Sequence, residues 1–175
     1  MGVIKMDLQM VELVEYQNEK EQLLNLIKEF WFCHSNEIQT DVQALQDIEA
    51  WTKVNQKTYF INYKDKKIGF VHLGSRGGHI DWLEHIFVKA EYQNNGIGTR
   101  VIQLVEKIVK QYSTSLYIEA ASRNERAIRL YHHLGYNCLN TISLRKDFNQ
   151  DDFKCIRNEQ IYDLDFEIRK INRNR

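Results

Sequence analysis

Proline is missing from all 175 residues of the chain. The usual loop punctuation goes with it, so boundaries are read from glycine, asparagine and the spacing of apolar residues. Net charge is missing as well: lysine plus arginine balance aspartate plus glutamate at 24 each. No overall field therefore draws the chain to nucleic acid or a membrane surface, and neither is expected as a partner. No apolar run approaches the roughly 18 residues of a membrane span. The opening MGVIKMDLQM lacks the apolar segment and cleavage site of a secretory leader, which points to the cytoplasm. Cysteine is sparse: Cys33, Cys138 and Cys155 lie far apart with no CxxC pair. That pattern argues for a reducing compartment and against a zinc site, with the thiols as small apolar fillers in or near the core.

A chain of this length suits one core, so residues 1–175 are expected to form a single domain. Its basic end, Arg169, Lys170, Arg173 and Arg175, reads as a solvated tail.

Periodicity gives the elements. Val11 to Tyr16 reads as a strand, and from Asn18 a helix follows, carrying Leu23, Leu24, Ile27, Phe30 and Trp31 at three- and four-residue steps. A second helix fits Asp41 to Trp51, with Val42, Leu45 and Ile48 on one stripe and Asp41 as cap. Thr58 to Tyr63 and Lys67 to Leu73 form a hairpin turned at Asp65, and Gly77-Gly78 leads into a strand from His79 to Val88. A helix opening at about Thr99 has the stripe Ile97, Val101, Leu104, Val105, Ile108 and Tyr112. Ser115 to Ala121 is strand-like. Asn124 caps a helix with Ala127, Leu130, Tyr131 and Leu134, stopped by Gly135. Strands close the chain at Tyr136 to Lys146 and Tyr162 to Ile171, and the acidic 149–152 stretch begins the segment between them. The order β-α-α-β-β-β-α-β-α-β-β makes a mixed α/β fold of about seven strands and four helices. Its sheet is mostly antiparallel, with one parallel pair around the loop at Gln93 to Gly98.

That loop, Gln93-Asn94-Asn95-Gly96-Ile97-Gly98, joins an apolar strand to a helix N-terminus. Glycine lets backbone approach a ligand closely, and the free N–H groups of the helix favour an anion. A P-loop is excluded because Thr99-Arg100, not Lys-Ser/Thr, follows Gly98. A dinucleotide loop is excluded because the third glycine of GxGxxG is missing. The Q-x-x-G-x-G form instead resembles the acyl-CoA loop of the GNAT N-acetyltransferase superfamily. A second segment agrees: Asn124, Ala127, Leu130, Tyr131, Gly135 and Tyr136 are similar to the N-x-x-A-x-x-L-Y-x-x-x-G-F/Y run of that family. The resemblance covers roughly Val11 to Lys146 and is densest from Ile80 to Tyr136.

The resemblance implies acetyl-CoA as co-substrate and no metal. Backbone groups of Ile86, Phe87 and Val88 would pair with the pantetheine arm. The amides of Asn94, Asn95, Gly96, Ile97, Gly98 and Thr99 would hold the pyrophosphate, with Gln93 opening the loop. Asn124 would hydrogen-bond pantetheine, and Tyr131 would stand near the sulfur. Ala90 replaces the proline often found before the loop, a loss of stiffness only.

Direct attack of an amine on the thioester needs a base for the ammonium and an acid for the thiolate. Tyr131 is the candidate acid. Glu119 is the first candidate base, spaced from Asn124 and Tyr131 much like the glutamate of bacterial ribosomal-protein N-terminal acetyltransferases. Glu84 is the second: alternation puts it with Trp82 and Ile86 on an apolar face, where its pKa would rise, and opposite His85 and Asp81. Trp31, Phe32, Trp51 and Trp82 are candidates to line an acceptor pocket, and Glu37, Asp41 and Asp47 suit a cationic acceptor. The expected activity is N-acetyl transfer to a primary amine of a small molecule or protein. The alternative is a non-catalytic acyl-CoA-binding sensor or interaction module. Strand edges near the C-terminus leave a homodimer open.

Overall fold

A computed structural model describes residues 6–172. Its elements follow the expected order: β1 (Val11–Glu15), α1 (Lys20–Ser35), α2 (Asp41–Trp51), β2 (Gln56–Tyr63), β3 (Lys66–Gly74), β4 (Trp82–Val88), α3 (Ile97–Val109), β5 (Tyr117–Ile118), α4 (Glu125–His133), β6 (Phe153–Ile161) and β7 (Leu164–Ile171). They fall into two compact units that divide between Glu119 and Ala120.

The first unit is a five-stranded sheet in the order β1-β2-β3-β4-β5, antiparallel except for the parallel β4–β5 pair. Both faces of its central strands are buried, which explains their near-continuous apolar runs. On one face Phe60, Phe70 and Phe87 pack under α1 and α2, against Leu23, Leu26, Ile27, Phe30, Ala44, Ile48 and Trp51. The alternate residues Ile61, Val71 and Leu73 are equally buried and point the other way. The amphipathic α3 packs on β1 and β4, burying Ile97, Val101, Ile102, Val105 and Val109.

Two details of α2 differ from the sequence reading. Thr40, not Asp41, is the cap: its hydroxyl accepts from the Gln43 N–H while the Gln43 side chain accepts from the Thr40 N–H. The T-x-x-Q spacing of this capping box is the stronger signal, and Asp41 instead pairs with Lys28 at 2.6 Å. The buried stripe is Ala44, Ile48 and Trp51, whereas Val42 and Leu45 are exposed. Trp51 contributes the largest apolar surface and sets which face turns inward.

Strand β4 starts at Trp82 rather than His79 and carries a bulge. Its partners on β3 run from Gly69–Val88 to His72–His85, then jump to Leu73–Leu83, so Glu84 is the inserted residue. The insertion resets the alternation of faces. Trp82, registered on Gly74, returns to the side that His85 occupies opposite His72, and Glu84 lines the same cleft as His85. The sequence count that put Glu84 opposite His85 is corrected by this one residue. The parallel ladder with β5 covers only Trp82–Tyr117 and Leu83–Ile118, ending where the bulge begins. Hence β5 spans two residues instead of Ser115 to Ala121.

In the second unit the Asn124 side chain accepts from the Ala127 N–H and starts α4. The helix ends in a Schellman-type turn: the Gly135 N–H reaches the His132 carbonyl, the Tyr136 N–H reaches the Tyr131 carbonyl, and Gly135 has φ +99°. Tyr136 to Lys146 is not a strand. The segment taken as a connector forms β6 instead, paired with β7 through a two-residue turn at Tyr162-Asp163, both at positive φ. Neither turn residue is glycine, so the hairpin signal was hidden, and a run without a ladder partner does not become a strand.

Cys33, Cys138 and Cys155 are exposed, correcting the expectation that they fill the core. Cys33 lies three residues past Phe30, the last buried position of α1. Arg169 and Lys170 belong to β7 rather than a tail; Arg173, Arg175 and the first five residues lie outside the described residues. Among the described residues no helix is long and apolar enough to cross a membrane.

Candidate functional site

The loop before α3 is built by its own side chains. Gln93 Nε2 donates to the Val88 carbonyl at 2.7 Å, tying the loop back to the end of β4. Asn95 Nδ2 donates to the Gln93 carbonyl at 2.9 Å. Asn94 and Gly96 take φ of +63° and +81°, which turns the chain into the helix. Gly96 is the N-cap of α3 and supplies no side-chain cap, so the first-turn N–H groups are left to another acceptor. A Cβ on Gly98 would meet nothing within 4 Å, so space stands open over this end. Beside it Leu8, Gln9, Thr99, Arg100 and Gln103 line a cleft of about 570 Å³. Arg100 Nε is buried with no hydrogen-bond partner among the described residues. Sequence reading overlooked it, although a cation in the first turn of an uncapped helix is a signal.

Next to the loop, Ile86, Phe87 and Val88 register on Val71, Phe70 and Gly69 of β3. On the opposite edge β5 has already ended, so their outward backbone groups have no strand partner.

Both candidate bases are held by one cation. Arg76 donates to Glu119 at 2.6 and 2.9 Å and to Glu84 at 3.1 and 3.0 Å. The guanidinium lies 3.6 Å over the Trp82 ring, which is stacked in turn on Tyr117. These hydrogen bonds hold the Glu119 carboxyl below its usual range and push Arg76 further up. A carboxylate so stabilised is a weak base while the pair is closed. The apolar setting expected for Glu84 is thus replaced by an ion pair.

Within the first unit the cleft of about 280 Å³ beside Glu84 also holds Ala50, Trp51, Gln56, His72 and His85. The imidazoles of His72 and His85 meet Nδ1 to Nδ1 at 3.1 Å, and His72 Nε2 meets Gln56 Oε1 at 2.7 Å. Trp51 stacks on both rings, at 4.9 and 4.6 Å between centroids. Burial drives the His72 pKa down to about 3, with a smaller push from His85. Burial also lowers His85, against the opposing pull of Glu84 and Asp47. Sequence reading ranked His85 low because alternation placed it away from Glu84.

Of the other acceptor-side candidates, Trp31 Nε1 and Gln39 Nε2 both donate to Asp47, and Asp41 pairs with Lys28. Phe32 is exposed. In the second unit Asn124 uses its Oδ1 as the helix cap. Burial raises Tyr131, keeping its hydroxyl protonated, as an acid requires.

The first unit thus carries an open, glycine-lined helix end next to a strand edge that β5 leaves uncovered. Residues 21–136 match the model of the acetyltransferase (GNAT) family, and the chain belongs to that family. A search of curated protein sequences found no match. Solved structures share the fold at low identity. A possible acetyltransferase from Clostridium difficile 630 is 12% identical at TM-score 0.63, covering 80% of this chain and 99% of that one. AAC(6')-Iy, in complex with a bisubstrate analog built on CoA, is 18% identical at TM-score 0.61, covering 78% and 98%. The aminoglycoside 6'-N-acetyltransferase AAC(6')-Ih from Acinetobacter baumannii is 21% identical at TM-score 0.58, covering 79% and 99%.

Proposed function

We propose that the protein is a single-domain N-acetyltransferase that moves acetyl from acetyl-CoA to a primary amine by direct attack. The carrying observation is the uncapped N-terminus of α3, with open space over Gly98 and the partnerless Arg100 Nε beside it. These features fit a pyrophosphate-bearing ligand: the amide N–H groups from Asn94 to Thr99 would donate to its oxygens, and Arg100 would add a positive charge. Acetyl-CoA supplies the activated acetyl thioester. The free edge of Ile86 to Val88 would pair with the pantetheine amides as an added strand does. Asn124, whose Nδ2 is not needed for capping, and Tyr131, as proton donor to the thiolate, take their roles from the family motif.

Glu119 and Glu84 can act as bases only with Arg76 displaced. The acceptor class is a small-molecule or protein amine; the aminoglycoside enzymes that share the fold favour the former. A homodimer through the β6–β7 edges is proposed on the same footing, with sedimentation as its check. The competing reading is an acyl-CoA sensor without turnover, favoured by the engagement of both carboxylates with Arg76. Thiol release from acetyl-CoA over a panel of polyamines, aminoglycosides and peptide N-termini, alongside calorimetry with CoA, separates the two. Acetylated amine with matching thiol supports the transferase; CoA binding with no thiol released on any amine supports the sensor.

A further inference from the structure

We propose that His85 Nε2 is the base that takes the proton from the acceptor's ammonium, with His72 and Gln56 acting as positioning residues that fix its tautomer. The proposal rests on the transferase reading above and replaces its two carboxylate candidates.

One hydrogen-bond chain links Gln56, His72 and His85. Gln56 Oε1 has lone pairs and no hydrogen, so His72 Nε2, at 2.7 Å, carries the proton between them. A neutral imidazole has a single N–H, and His72 therefore presents a bare Nδ1. His85 Nδ1, at 3.1 Å, must supply the hydrogen for that contact. Neutral His85 is left with its lone pair on Nε2, for which no hydrogen-bond partner exists among the described residues, and the residue lines the cleft. Trp51, stacked on both rings, prevents either from turning over.

Charged and titratable neighbours come from every packed element. Glu84 on β4 and Asp47 on α2 favour protonated His85, and His34 on α1 opposes it. His72 on β3 is itself neutral above pH values of about 3. The ring is therefore a free base at neutral pH, and Glu84 is at hand to stabilise the imidazolium that forms.

In the step, one ammonium N–H bond breaks and its proton goes to Nε2, leaving the electron pair on nitrogen. That pair forms the C–N bond at the thioester carbonyl. The C–S bond then breaks with its electrons on sulfur, Tyr131 protonates the thiolate, and the second proton of the former ammonium nitrogen restores the Tyr131 hydroxyl. His85 releases its proton to water, so amide, thiol and one proton are the products.

Two measurements test this. Long-range proton–nitrogen correlation on nitrogen-15-labelled protein reads the tautomer directly; Nδ1–H at His85 is expected, and the Nε2–H form overturns the proposal. The second is kcat/KM for acetyl transfer against pH. The wild type should lose activity as pH falls through the depressed His85 pKa. His85→Gln should lose roughly 100-fold or more at neutral pH and lose that acid limb, with KM for acetyl-CoA unchanged. A folded His85→Gln enzyme with the wild-type profile sinks this proposal and leaves the transferase reading standing, whereas a wild type inert on every amine sinks both. Should the variant not fold, the wild-type limb must coincide with the His85 titration seen by NMR; a limb elsewhere overturns the assignment.

Discussion

Arg76 grips Glu119 with two hydrogen bonds, at 2.6 and 2.9 Å, and so couples the turn after β3 to the end of β5. Removing the cation should release the carboxyl. In Arg76→Ala the Glu119 pKa is expected to rise toward the ordinary carboxylate range, read by carbon-13 NMR titration. A depressed carboxyl stabilises the fold above its unfolded pKa, and this contribution fades as pH falls through the folded value. Both side chains are substantially exposed, so the stability lost at neutral pH should stay under about 1 kcal/mol. With His85 as base, the acid limb of the pH–rate profile survives this substitution.

Gly69 lies against the backbone of β4. A Cβ there would sit 2.0 Å from the Phe87 carbonyl oxygen, an atom that cannot swing aside. Gly69→Ala should therefore cost about 3 kcal/mol or more in chemical denaturation, through forced separation of β3 and β4. Unchanged stability would mean the two strands are not this close.

His72 makes the fold acid-sensitive. Its folded pKa of about 3 lies below the usual 6.5, so the unfolded chain takes up a proton first as pH drops. Stability from this site is complete above 6.5 and is lost progressively toward 3. The loss is on the order of a few kcal/mol. Urea unfolding at a series of pH values should show that slope, and His72→Gln should flatten it.

Gly98 separates folding from ligand approach. With no atom within 4 Å of its added Cβ, Gly98→Ala should leave the melting temperature unchanged or slightly higher, because alanine suits a helix better than glycine. On the proposed reading, CoA affinity measured by calorimetry should still fall, roughly 10-fold, since the methyl fills the space the ligand needs.

Asn124 caps α4, and on the proposed reading it also donates to the cofactor; substitution can divide the two. Asn124→Ala loses the α4 cap and about 1 kcal/mol. Asn124→Asp keeps an acceptor for the cap and replaces the Nδ2 donor with a charged oxygen, so stability should hold while KM for acetyl-CoA rises. Equal KM values for Asn124→Asp and wild type would remove the residue from the cofactor's partners.

The sheet, the helices and the glycine loop were legible because each depends on local pattern. Runs rich in aromatic and β-branched residues marked β2 and β3, three- and four-residue steps marked α1 and α3, and Asn124 with Gly135 bracketed α4. Tyr136 to Lys146 had the composition of a strand but joins no ladder among the described residues, and pairing is not a local property. Glu84 was misread for a related reason. One inserted residue shifts the face of every residue beyond it, and its evidence is a register between two strands.

By itself the sequence determined the order of elements and the glycine loop before α3, since turns, caps and periodicities are written within a few residues. The tertiary structure alone decided which partners the candidate acids and bases meet. Arg76 reaches two carboxylates from a neighbouring turn, and His72 is brought against His85 by antiparallel pairing. Protonation state follows from burial and from partners distant in sequence, so it belongs to the folded chain and to no stretch of it.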